Sequence, residues 1–121
     1  MLRESSGALR LIDLEYFGWD DPAKLVSDFC WHPGMTLSQK LRDEWVRATT
    51  EIYSRDQSFV ARLHATHPLY GLRWAMIVLN PFLDRIGRNP ESTKILYGQL
   101  EKSDCFCNRV ADWIRNAKYS Y

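Results

Sequence analysis

Leu11-Ile12-Asp13-Leu14-Glu15-Tyr16-Phe17-Gly18-Trp19-Asp20-Asp21-Pro22-Ala23-Lys24-Leu25-Val26-Ser27-Asp28-Phe29 is the stretch on which the rest of the chain hangs. Leu9, Leu11, Ile12, Leu14 and Phe17 form a short apolar run between Gly7 and Gly18, which suits a buried strand better than a helix. Asp13 and Glu15 alternate with large apolar residues, so in an extended chain both carboxylates point to one side while Ile12, Leu14 and Tyr16 point to the other. Two acids facing one way beside a core suit a divalent cation. Asp20 or Asp21 before Pro22 reads as an N-cap with proline in the first turn, so a helix is expected through Ala23, Leu25, Val26 and Phe29.

Asp13-Leu14-Glu15-Tyr16, then Gly18, then Asp21-Pro22 and an amphipathic helix, resembles the metal-binding segment of the aminoglycoside phosphotransferase and choline kinase group, whose fold is protein-kinase-like. The likeness covers roughly residues 2–34. It implies that Asp13 holds magnesium against the phosphates of ATP, with Glu15 a second metal ligand. It also implies the fold: mainly α, a short N-terminal β-hairpin followed by a bundle of about five helices, like the C-terminal subdomain of a protein-kinase-like phosphotransferase. The chain departs from the pattern near Lys24 and Leu25, where many members carry an acid; here Asp28 stands one turn later. The catalytic loop His-x-Asp-x-x-x-x-Asn should lie just before Asp13, yet the residues before it contain no His, Asp or Asn. No Gly-rich loop is found either, because the six glycines are scattered. The resemblance therefore implies residues 1–121 as the C-terminal part of such an enzyme, with no catalytic residue of its own. Mg and ATP are implied as cofactors, though neither should bind tightly to this chain alone. Its expected partners are a missing N-terminal portion or a second copy, and a small-molecule acceptor.

Length and composition bound the rest. A chain of 121 residues, 45% hydrophobic, is one domain with little surplus core. Its formal charge of +1, from 16 basic and 15 acidic residues mixed along the sequence, makes no electrostatic case for nucleic acid or an anionic membrane. Five tryptophans, six tyrosines and five phenylalanines imply a well-filled core or an apolar face that something else covers. Three cysteines without a signal peptide point to a reducing cytoplasm, and no apolar run approaches the ~20 residues needed to cross a bilayer, so a soluble protein is expected.

After the first helix, His32-Pro33-Gly34 marks a stop, and Thr36-Leu37-Ser38-Gln39 has capping-box spacing. Leu37, Leu41, Trp45, Ala48 and Ile52 recur at helical spacing, with Lys40, Arg42, Asp43, Glu44 and Arg47 opposite. Ser54–Thr66 reads as a shorter helix ended by His67-Pro68, and Leu69–Leu79 as a helix apolar all round and central. Asn89-Pro90-Glu91 opens a last helix with Leu96, Leu100, Cys107, Val110, Ile114 and Ala117 as its seam; unbroken to Tyr119 it spans about 45 Å.

Each candidate site has a plainer reading. Asp20 and Asp21 are explained as structural caps by the proline after them. His64-x-x-His67 and Cys105-x-Cys107 lack the paired spacings of a zinc site. Two functions are consistent with these residues: part of a small-molecule O-phosphotransferase, or a stand-alone helical module that binds a partner without catalysis.

Overall fold

The computed structural model describes residues 2–10, 18–35, 37–83 and 90–117. Helix α1 (Pro22–Trp31) begins where the acid-proline pair places it. Asp21 is in extended backbone and its Oδ1 accepts the Ala23 N–H at 2.9 Å, while Pro22 occupies the first helical position, where no N–H is required. Ala23, Val26, Ser27, Cys30 and Trp31 are buried, which is the three-and-four spacing of one inward stripe. His32 caps the other end by donating its N–H to the Asp28 carbonyl.

Three further helices follow: α2 (Gln39–Ile52), α3 (Phe59–Ile77) and, after a 3-10 turn at Asn80–Phe82, α4 (Pro90–Ala117). The expected β-hairpin on about five helices is thereby corrected. The fold is mainly α, with four α-helices among the described residues. Extended pairing there is limited to two antiparallel rungs, Leu2 opposite Arg10 and Arg3 opposite Leu9, closed by a turn with Gly7 at φ 85°. Two rungs are too short to form a layer against the helices, so they are a local turn and not a β-hairpin of the kinase-like kind. The remainder of the expected strand, at 11–17, lies outside the described residues.

The helix count differs because Pro68 does not end a helix; it lies inside α3, buried. A proline there removes one backbone bond and costs ~3 kcal/mol in an isolated helix. Burial of Leu63, Pro68, Gly71 and Ala75 along the same face offsets that cost. Leu69, Leu72 and Met76 of α3 are exposed, so the helix expected to be apolar all round is buried on one side only. It is nevertheless central, packed against both α1 and α4.

Two seams also turn relative to expectation. In α2 the cap is Ser38, whose Oγ accepts the Leu41 N–H at 3.4 Å, and Thr36 lies outside the described residues. Trp45, Val46 and Thr49 face inward, whereas Leu41 and Ile52 are exposed; Thr49 can be buried because its hydroxyl donates to the Trp45 carbonyl at 2.8 Å. In α4 the buried positions are Ser103, Phe106 and Val110, with Leu100, Cys107 and Ile114 outside.

The interior forms two apolar clusters. Ala23, Val26, Phe59 and Leu63 join α1 to α3 and carry Trp45, Val46 and Tyr53 on their edge. Trp31, Ala75, Phe106 and Val110 join the far end of α1 to α3 and α4. At Gly71 the helices come so close that a Cβ would lie 2.5 Å from Val110 Cγ2 and 2.9 Å from Trp31 Cε2 and Cζ2.

Candidate functional site

Two places gather polar chemistry, one at each end of α1. At the N-terminal end, Arg62 of α3 clamps the cap residue: its Nε and Nη2 donate to Asp21 Oδ2 and Oδ1 at 2.8 and 3.2 Å. The same guanidinium donates to Asp56 Oδ2 at 2.9 Å and contacts the Ser58 hydroxyl. Arg62, then the Ala23 N–H, hold the Asp21 carboxyl below its ordinary range. Asp20 accepts the Asp21 N–H at 2.8 Å and pairs with Lys24 at 3.0 Å, and Lys24 lowers its carboxyl in the same way. Both acids are therefore engaged as caps and ion pairs. Asp13 and Glu15, the metal ligands implied by the resemblance, lie outside the described residues. Asp20 and Asp21 add no free carboxylate to them, and among the described residues no three His, Cys, Asp or Glu side chains come together to hold a metal. His64 and His67 stack instead against Trp113, at 5.6 and 5.5 Å between ring centroids.

The second place is a cleft of about 660 Å³ between the end of α1, the start of α2, the middle of α3 and the last third of α4. Trp31 forms part of its wall, only 3% exposed, and its indole N–H has no acceptor. Arg42 enters from α2. Its Nη2 is held by the Leu37 carbonyl at 2.8 Å, while its buried Nε has no partner. Each buried donor left unpaired costs about 1–3 kcal/mol. Arg109 of α4 lies over the Trp31 ring at 4.5 Å and over Phe106 at 5.6 Å. Burial, then the charge of Arg42, make its protonated form less favourable than usual.

Both acids lining the cleft have partners of their own. Asp43 accepts from Gln39 Nε2 at 2.8 Å, and Asp112 pairs with Arg115 at 3.2 Å. His67 has Nδ1 3.1 Å from the buried Ser27 hydroxyl, and burial ahead of the Arg109 charge pushes it down to about 4, so the ring is neutral. Burial pushes the Cys30 thiol up to about 11, which leaves it protonated and a poor nucleophile. The cleft thus combines three guanidinium groups, two carboxylates, a neutral imidazole and a protonated thiol.

Of the cleft residues the sequence candidates include His67 alone, in the His64-x-x-His67 pair. Arg42 reads as part of a solvated face, yet it stands three and four residues before Trp45 and Val46, on the stripe that turns inward. Arg109 follows Phe106 by three and precedes Val110 by one, which is the available sign that its stem covers the core. Among the described residues no helix is long and apolar enough to cross a membrane. No family model, curated protein or solved structure matches the chain.

Proposed function

We propose that the chain is the helical C-terminal part of a small-molecule O-phosphotransferase of the aminoglycoside phosphotransferase and choline kinase type, dependent on ATP and magnesium and inactive by itself. The observation that carries this reading is the run from Asp13-Leu14-Glu15-Tyr16 to Asp21-Pro22, joined to the clamp that holds Asp21 between Ala23 N–H and Arg62. A carboxylate pair meant for a metal needs a rigid support just after it, and α1 is such a support because its N-cap, Asp21, is tied to α3. Magnesium, when bound, would neutralise phosphate charge at Asp13 and Glu15. The chain's own contribution is the anchored helix start at Asp21. A proton acceptor for the substrate hydroxyl and a phosphate cradle would come from the N-terminal portion.

The test is the nucleotide sequence upstream of the Met1 codon. A continuous frame encoding His-x-Asp-x-x-x-x-Asn, whose product consumes ATP with aminoglycosides, choline or sugars and loses that activity on Asp13→Ala, is the expected result. No such frame, or Asp13-dependent turnover by residues 1–121 alone, refutes the proposal. A second reading, a non-catalytic binding module, is favoured by the donor-lined cleft at the other end of α1.

A further inference from the structure

We infer that the cleft between α1, α2, α3 and α4 binds a small anionic ligand, an oxyanion group on an apolar or aromatic body, with the oxyanion between Arg42 and Arg109 and the body against Trp31 and Trp113. This holds whether or not the phosphotransferase reading does, because the cleft lies a helix length from Asp21 and shares no residue with the clamp.

Three features select the charge. Among the described residues neither Arg42 nor Arg109 has a carboxylate partner, although both border a cleft with Asp43 and Asp112 in its lining. Burial, then the Arg42 charge, disfavour the charged form of Arg109, and an anion beside both guanidinium groups relieves it. Arg47 adds a third guanidinium to the lining, against the two carboxylates of Asp43 and Asp112, and an oxyanion is all acceptor. Three further features select the body. The volume suits a molecule of one or two rings, the walls include two indoles and Val46, and the neutral His67 adds a flat face without charge. Two other tryptophans are informative by contrast: the Trp45 and Trp74 N–H groups are already spent on the Val26 carbonyl and Asp28.

The shared chemistry is that of a carboxylate or a phosphate monoester, and the probes are chosen to cover both: 2-naphthoate and phenyl phosphate, with uncharged 2-naphthamide as control. Binding to the whole chain is followed by tryptophan fluorescence and by the indole N–H resonances in a nitrogen-proton correlation spectrum. Saturable binding of at least one anion is expected, at least tenfold tighter than the amide, with the Trp31 indole resonance moving and those of Trp45 and Trp74 staying. Arg109→Met keeps an apolar stem over Trp31 and removes the charge; it should weaken the anion about 10- to 100-fold and leave the amide within twofold. If that variant does not fold, Arg109→Lys, which keeps the charge and loses the planar fork, should show a smaller loss for the anion alone. Equal affinity for anion and amide, unaltered anion binding in the Arg109 variant that folds, or a Trp31 resonance that stays put at saturation overturns the inference. So does the absence of saturable binding.

Discussion

Gly71→Ala sets two effects of opposite sign against each other. Alanine is the better helix former, and in an unobstructed helix interior the exchange gains about 1 kcal/mol. At Gly71 the new methyl would stand 2.5 Å from Val110 Cγ2 and 2.9 Å from two atoms of the Trp31 ring. Val110 can turn, but Trp31 is a buried ring with Arg109 over its face, so α3 and α1 must move apart by about an ångström to restore ordinary contact. Overpacking of that kind costs typically 1–3 kcal/mol, and two rigid contacts place this site at the upper end, so a net loss of about 2 kcal/mol is expected. For a domain of this size that is a fall in Tm of roughly 6–12 °C. Gly98→Ala in α4 is the matched control, because nothing lies within 4 Å of the position its Cβ would take. There the propensity gain stands alone, and Tm should rise by a few degrees. Urea denaturation and thermal melts of both variants decide it. If Gly71→Ala is as stable as the parent, the close approach of the helices is wrong.

Acid stability should separate two groups. His67, held near 4 when folded and titrating at about 6.5 when unfolded, binds its proton in the unfolded chain first, so stability falls as pH drops from 6.5 towards 4, by on the order of 2–3 kcal/mol. His67→Gln should flatten that part of the profile, and a His67 ring that titrates near 6.5 by NMR contradicts it. Asp21 is depressed by Arg62, so its contribution is present above the ordinary carboxylate value and disappears below about pH 4. The Tm difference between the parent and Arg62→Met should therefore be larger at pH 6 than at pH 2; a constant difference would show that the clamp acts by packing alone. Buried Cys30 should resist a thiol reagent that modifies exposed Cys105 and Cys107, giving two reactive thiols in the native protein and three in denaturant; three at native conditions would place Cys30 at the surface.

Local signals carried further than seams did. Asp21-Pro22 starts α1, Pro90 opens α4 and the helix stop at His32 is where chain chemistry puts it, because caps depend on neighbouring residues alone. Pro68 misleads because its helix is paid for by packing against elements distant in sequence. Leu41, Leu100 and Ile114 are apolar yet exposed, while Thr49 and Ser103 are polar yet buried, so an apolar count turns both seams by part of a turn. The cleft was illegible for a related reason: Arg42 and Arg109 sit 67 positions apart on α2 and α4, and only the packing of the helices brings them to one cleft. Asp13 and Glu15 keep the standing that their sequence motif confers.

The position of α2 has a consequence for how the molecule opens. It lies between α1 and α3 in the sequence but touches α1 only along an edge, through the Trp45 N–H on the Val26 carbonyl at 3.3 Å and the Phe29 and Trp45 rings at 4.3 Å. The α1 and α3 pair closes without it. Native-state deuterium uptake should therefore divide the protein into two cooperative units, with α2 amides exchanging through a partial opening and those of α1 and α3 only through complete unfolding. Because Arg42 rides on α2, each such opening also removes one wall of the cleft while the rest of the bundle stays folded.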